Sequence, residues 1–536
     1  MKCVTSLFFL LAMQSAFAGM VPVVISDPTP SIAANYSVGN SNTFTYTVTN
    51  HTPATFPLAV SGISGSVSRT SVTSDCGNTL PGNSSCNIGI TIAPTGNDYG
   101  ASINQTLAVN YQGRMALAKN ISFSVSPAGR IFAIGGRNLF APAIIVSNDG
   151  LGQTWTTGFT DNSIGGFILG VGCTGSGSTA VCAGAGEDYT DGSPILVVSA
   201  DGGNTWTPKS LAGLSDSGIL NAASCTGTGS NAICVAGGED LSGDSLPTIF
   251  ASTDGGNTWS LKSVPGISTT GVVFATSCTG NGSNAICVAA GQFSSLQPLL
   301  AVSTDGGNTW SSQAVSGLSP DDASFYSVSC TGSGSNAICV ATGQDETNGS
   351  PVLAVSTNGG NTWALKSISD APFGGIFIGV SCTGNSSTGV CTAIGTVGGG
   401  YGFVAASNDG ANTWAIKSIP NFPSNAALSQ TSCTGSGSSA ICIAVGRDTE
   451  IVSSSLIVIS RDGGNTFSRV PLSGSLATAG NLSAGSCTGA GPTLTTCAVT
   501  SGFNVLISTD GGVTWGFAPN VNFQRSPMFQ SAASGV

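Results

Sequence analysis

The chain has 536 residues, with 25 Asp and Glu against 14 Lys and Arg, a single His and a formal net charge of −11. An acidic chain lacks the basic footprint that nucleic-acid binding requires, and one histidine excludes neither binding nor carboxylate chemistry but does exclude repeated His ligation. Only 7% of residues are charged while 76 are glycine, a composition of many short strands joined by turns.

Residues 1–18 read as a secretory leader: Lys2 is the charged start, residues 7–12 are the apolar core, and Ala16 and Ala18 form the cleavage signature. No later segment is apolar enough to span a membrane, so the mature chain is expected to be soluble and exported. Cys3 falls in the leader. The other sixteen cysteines come as close pairs: Cys76/Cys86, Cys173/Cys182, Cys225/Cys234, Cys278/Cys287, Cys330/Cys339, Cys382/Cys391, Cys433/Cys442 and Cys487/Cys497. In an oxidising compartment such pairs read as local disulfides. Zinc fits poorly, because the spacings are wrong and the one histidine is His51.

Residues 19–126 form a segment of their own. Apolar and polar residues alternate over 44–48 and 88–92, and 107–111 and 121–125 add two more strands. Pro and Gly clusters separate them, which predicts a β-sandwich of roughly a hundred residues. His51 sits in a turn. The run from Cys76 to Cys86, followed by residues 88–94, resembles the bacterial immunoglobulin-like domains of the choice-of-anchor kind. That resemblance implies a spacer or adhesive module in the periplasm or at the cell surface of a bacterium.

From residue 127 onward one unit repeats. Residues 252–259 read Ser-Thr-Asp-Gly-Gly-Asn-Thr-Trp, and eight versions of this stretch occur. Their closing aromatics, Trp155 to Trp515, are spaced 51, 53, 51, 53, 51, 53 and 48 residues apart. A fixed period near fifty is one supersecondary unit repeated. The stretch is turn chemistry: the carboxylate accepts backbone N–H bonds and the glycines supply positive φ. It resembles the Asp-box, or BNR repeat, of sialidases, sortilin-type receptors and photosystem II assembly-factor propellers. In those families the box is a structural turn, so the resemblance implies no catalytic role for these aspartates.

Each unit reads as four strands. In the third these are 218–225, 233–237, 248–252 and 258–264. Four strands in each of eight units predict an all-β, eight-bladed propeller over residues 127–536. The first unit lacks a first strand, and residues 528–535 match the missing piece. The C-terminus is therefore expected to close the ring, with Gly535 in the place of the first cysteine and Phe132 in the place of the second.

Strand alternation sorts the loops onto two faces, boxes and cysteine loops on one. The fifteen acids of residues 127–536 outside the boxes then fall in loops of the other face. They include Glu187, Asp188, Asp191, Glu239, Asp240, Asp244, Asp345, Glu346, Asp448 and Glu450, the expected binding face, with Asp161, Asp216, Asp321, Asp322 and Asp370 beside them. Arg137, Arg447 and Arg525 share that face and form a candidate anion cluster. Phe140, Phe293, Tyr401 and Phe503 are candidate stacking platforms. No cofactor is implied. Calcium is the metal that the three-carboxylate loops 187–191 and 239–244 could take.

An enzyme reading mostly fails. A Ser/His or Cys/His nucleophile system has no histidine to use. Residues 129–132, Gly-Arg-Ile-Phe, lack the proline of the sialidase signature, and no tyrosine–glutamate pair follows from spacing. Two-carboxylate glycoside hydrolysis stays open, with no pair singled out. The sequence therefore favours a non-catalytic protein that binds a protein or glycan partner, cationic if the acids carry the binding. A sialidase-like glycoside hydrolase and a calcium-stabilised surface protein are the alternatives.

Overall fold

The structure is a computed structural model. It describes residues 23–31, 35–37, 42–64, 70–92, 102–111 and 114–126, then 131–535 apart from 139, 149, 151, 153, 215, 267–269, 294–295, 319–322, 348, 369, 399, 450–453, 490–494, 503, 520 and 522–528. The expected leader, and the expectations placed on Asp321, Asp322, Glu450, Phe503 and Arg525, lie outside the described residues. The chain divides into two compact units, Met1–Ala128 and Gly129–Val536.

In the first unit two sheets close on one core. Asn42–Asn50 and Ser85–Ile92 pair antiparallel, and their alternating pattern turns Phe44, Tyr46, Val48, Ile88, Ile90 and Ile92 inward. Phe56–Ser64, Ser102–Tyr111 and Arg114–Ser126 belong to the second sheet, which contributes Leu58, Leu107, Val109 and Ile121 to the same core. Half-buried antiparallel strands require this alternation. Asn50, fully buried, ties the turn after its strand: its amide donates to the carbonyls of Ala54, Leu80 and Pro81. Cys76 and Cys86 are bridged.

In the second unit, among the described residues, eight antiparallel-based sheets follow one another, seven of four strands and one of five. The third is representative, with strands Gly218–Thr226, Ile233–Asp240, Leu246–Ser252 and Ser260–Leu261 in spatial order. Innermost strands of successive sheets lie side by side from Gly166–Thr174 to Leu482–Thr488. Phe529–Gly535 lies against both of these, so the row closes on itself. This radial array of sheets is that of a β-propeller.

Relative to the sequence reading, second strands run longer, to the acidic residues at their ends. Fourth strands shrink to two residues in most sheets. Short outer strands, with Lys209, Lys262, Lys366 and Lys417 beside them, discourage pairing with a foreign sheet edge. The C-terminal strand pairs with Ile131–Asn138, but its register corrects the expected match. Ser534 faces Phe132, and Gly535 faces Ile131. Ser534 therefore stands where the other sheets carry their first cysteine.

The seven cysteine pairs of this unit bridge directly opposed residues of first and second strands, as Cys225 faces Cys234. Each box locks the same end. In the third sheet Ser252 Oγ donates to Asp254, and the Thr258 amide and hydroxyl donate to the same carboxylate. Gly255, at φ +73°, donates its N–H to Ala232 beside the disulfide loop, and a Cβ there would stand 2.6 Å from the Gly229 carbonyl oxygen. Trp259 Nε1 donates to Gly256, and its ring packs against the second sheet's Val198 cluster. One box thus ties a turn to its disulfide loop and to the preceding sheet.

Candidate functional site

Every first strand of sheets two to eight breaks register once, at the residue four before its cysteine. A β-bulge leaves that residue unpaired and re-aims it. The bulged residues are Leu169 and Asn221, then Phe274, Tyr326 and Ile378, then Ser429 and Ser483. All seven line one cavity of about 360 Å³. Seven different sheets contribute to it, so it lies on the common axis. In sheets two to seven a glycine stands opposite the bulge, where sheet eight has Ser501: a Cβ on Gly238 would stand 1.8 Å from the Ile219 carbonyl oxygen, and one on Gly343 1.7 Å from that of Ser324.

The residue after that glycine is the last but one of the second strand, on the same side. This position holds Arg137, Glu187, Glu239, Gln292, Gln344, Thr396 and Arg447 in sheets one to seven. In two sheets it contacts the first strand of the next. The Arg137 guanidinium lies 4.4 Å from the centre of the Phe167 ring of sheet two. Gln292 accepts a bond from Ser324 of sheet five at 2.5 Å. Ser324 also reaches Glu346 at 3.2 Å, and the Tyr326 hydroxyl donates to the same Glu346 oxygen at 3.1 Å. Phe274 and Tyr326 form a tilted ring pair with centres 5.8 Å apart. Tyr326 thus links the cavity, which it lines, to Glu346 of the loop after the second strand.

Electrostatics differ around the axis. Burial, and then the charge of Glu239, push the Glu187 carboxyl above its ordinary range, and burial does the same to Glu239. The Tyr326 phenol is pushed up chiefly by burial, partly offset by its bond with Ser324, with the Glu346 charge adding to the rise. It is a proton donor at neutral pH.

Part of the acidic set departs from the solvated loops in which the sequence reading put it, while Asp191, Asp216, Asp244 and Asp370 are exposed loop residues. Glu187 and Asp188, Glu239 and Asp240, Asp345, and Asp448 lie within strand ends. Asp188 and Asp448 are buried, and Asp448 pairs with Arg469 at 3.3 Å. The aspartates mostly serve their own turns. Asp188 accepts the Thr190 N–H, Asp191 that of Ser193, Asp240 that of Ser242 and Asp345 that of Thr347. A short carboxylate two residues before an N–H makes this bond in preference to reaching outward. Asp244 is exposed. Among the described residues, the only three metal-type ligand atoms within 4.8 Å of one another are those of Asp75, Cys76 and Cys86, and both sulfurs there are in a disulfide. The loops 187–191 and 239–244 do not gather their carboxylates into a calcium cage.

The expected arginine cluster also changes character. Arg137 stacks on Phe167, and Arg447, two sheets away round the ring, is exposed. Phe293 is buried rather than a platform, whereas Phe140, Tyr401 and Tyr189 are exposed. Sequence reasoning missed the bulge residues and the Tyr326–Glu346 pair. Alignment of the repeats on their cysteines would have shown the bulge column, which reads Leu, Asn, Phe, Tyr, Ile, Ser and Ser four residues before the cysteine.

No protein-family model matches the chain, and no curated protein matches it. Among solved structures it is similar to YCF48 bound to D1 peptide, at 17% identity over 54% of this chain and 78% of that one, with a TM-score of 0.35. A Hadza microbial sialidase, Hz136, gives 11% identity over 69% and 96%, with a TM-score of 0.30. A six-bladed fucose-recognising lectin of Aleuria aurantia gives 10% over 65% and 93%, with a TM-score of 0.34. Likenesses this distant have no bearing on ligand or activity.

Proposed function

We propose that this is an exported, non-catalytic binding protein: an immunoglobulin-like sandwich over residues 19–126, followed by an eight-bladed Asp-box propeller over residues 127–536, closed by its C-terminal strand. The partner is a protein or a glycan, met at the strand-end face around the axis. Eight disulfides and the leader-like residues 1–18 support export. Of the acids, Glu187, Glu239 and Glu346 carry the binding role, and the aspartates hold the loops.

One observation carries this reading. The repeats differ in residue type at the bulged residues that line the axial cavity and at the strand ends beside them. Box, cysteines, bulge glycine and core residues recur from sheet to sheet because packing fixes them. The strand-end and bulge positions run through Arg, Glu, Gln, Thr, Phe, Tyr, Ile and Ser, which no scaffold duty requires. An asymmetric lining on a symmetric frame is what recognition of an asymmetric ligand needs. The test is a screen of the secreted chain on a glycan array and a surface-protein library. The combined Glu239→Ser and Gln292→Ser variant should lose its partner, and Asn281→Ser, on the disulfide-loop face, should keep it. The reverse pattern would overturn the reading.

A sialidase-like hydrolase is the second reading, favoured by the 3.1 Å Tyr326–Glu346 bond. A carboxylate that accepts the phenol proton is what a tyrosine nucleophile needs. No arginine lines the cavity to hold a sialoside carboxylate, and the raised phenol keeps its proton. Turnover of a fluorogenic sialoside that vanishes in Tyr326→Phe would promote this reading.

A further inference from the structure

We propose that the axial cavity is a subsite for one neutral sugar residue of a glycan, an inference that rests on the binding reading above. The cavity lining contains no Asp, Glu, Lys, Arg or His among the described residues. Its bulged side chains are sorted by sheet. Phe274, Tyr326 and Ile378 stand on three successive sheets, Ser429 and Ser483 on the next two, and Leu169 and Asn221 on sheets two and three. Apolar side chains beside hydroxyl and amide side chains match a pyranose, which has C–H-rich faces and an edge of hydroxyls. The tilted Phe274 and Tyr326 rings offer the surface for the C–H face.

One further detail points to a polar occupant. The Tyr326 hydroxyl donates to Glu346, and beside its bond with Ser324 its oxygen keeps one lone pair that can accept from a ligand hydroxyl. At about 360 Å³ the cavity lies in the range of small-molecule sites, and at its lower end, which suits one ring and not a chain. A carboxylated sugar would bury its charge against Ser and Phe with no cation to receive it, at a large desolvation cost. The occupant is therefore neutral, and acidic sugars are excluded.

The test uses the full secreted chain, an array carrying neutral, sialylated and uronic-acid glycans, and calorimetry with the neutral oligosaccharide that the array retains. Tyr326→Phe and Ser429→Ala preserve side-chain volume closely and should weaken binding about tenfold, with melting unchanged. Ile378→Trp should fill the cavity and abolish binding. Asn281→Ser should leave it unaltered. Retention of neutral glycans with this pattern supports the assignment. Glycan binding that ignores all three cavity variants overturns the subsite and leaves the binding protein standing, and so does a protein partner with no glycan retained. Equal retention of acidic glycans overturns neutrality. No partner of either class overturns both the subsite and the reading beneath it.

Discussion

The fifth box performs in nature a substitution that can be tested in the third. Asn358 stands where the third box has Asp254, and it keeps the turn: Ser356 donates to its amide oxygen at 2.9 Å, the Thr362 N–H donates at 3.0 Å, and its own NH₂ donates to the Thr362 hydroxyl at 2.8 Å. Asp254→Asn should therefore preserve the turn, and Asp254→Ala should not. Alanine removes the acceptor of Ser252 at 2.8 Å and of the Thr258 amide and hydroxyl at 2.9 and 2.6 Å. Ser252 is buried, so its bond to the charged acceptor is worth about 1.5–3 kcal/mol. Thr258 is exposed, and solvent screening reduces its bonds to a few tenths each. The alanine variant should lose about 2–3 kcal/mol, and the asparagine variant less than about 1.

The pH dependence separates the two effects. Burial pushes Asp254 up, but its bonds with Thr258 and Ser252 outweigh this and hold the carboxyl below its ordinary value. A depressed folded pKa gives stability that is present above the unfolded value of about 3.9 and lost as pH falls through the folded value. The asparagine variant lacks that share, so its gap to wild type should close as pH drops below about 4. The assay is urea unfolding followed by tryptophan fluorescence, with an unchanged m-value licensing the comparison. Asparagine as damaging as alanine at pH 7, or a gap constant from pH 7 to pH 2, would refute the reasoning.

The raised carboxyls Glu187 and Glu239 predict the opposite sign: their stability is present below the unfolded pKa and lost as pH rises, so Glu187→Gln should stabilise at pH 7 by about 0.5 kcal/mol or less, after screening, and not at pH 3. A melting temperature that falls at pH 7 would contradict this. In the first sheet, Phe132→Cys with Ser534→Cys should form a bridge visible in non-reducing peptide maps, whereas Phe132→Cys with Gly535→Cys should not, because Ser534 faces Phe132. Deleting residues 525–536 removes the strand paired with Ile131–Asn138 and opens two sheet edges, so gel filtration should show aggregation. A soluble monomer with unaltered melting would count against closure.

The sequence by itself determined the frame. The fifty-residue period, the Asp-Gly-Gly-Asn turn and the cysteine pairs are local, each settled within about fifteen residues by turn chemistry and strand alternation. For that reason Cys225 and Cys234 could be paired, and the four strands ordered, before any coordinates. Tertiary structure alone decided which side chains gather. Gln292 meets Ser324 only because neighbouring sheets pack face to face, and Tyr326 meets Glu346 only because a bulge turns the tyrosine out of its strand. The same packing buried Asp188 and Asp448, which alternation had left in solvent. Register, too, was beyond a pattern match: Ser534 and not Gly535 took the cysteine's place, because a run of small residues fits two registers one residue apart and only the strand pairing selects between them.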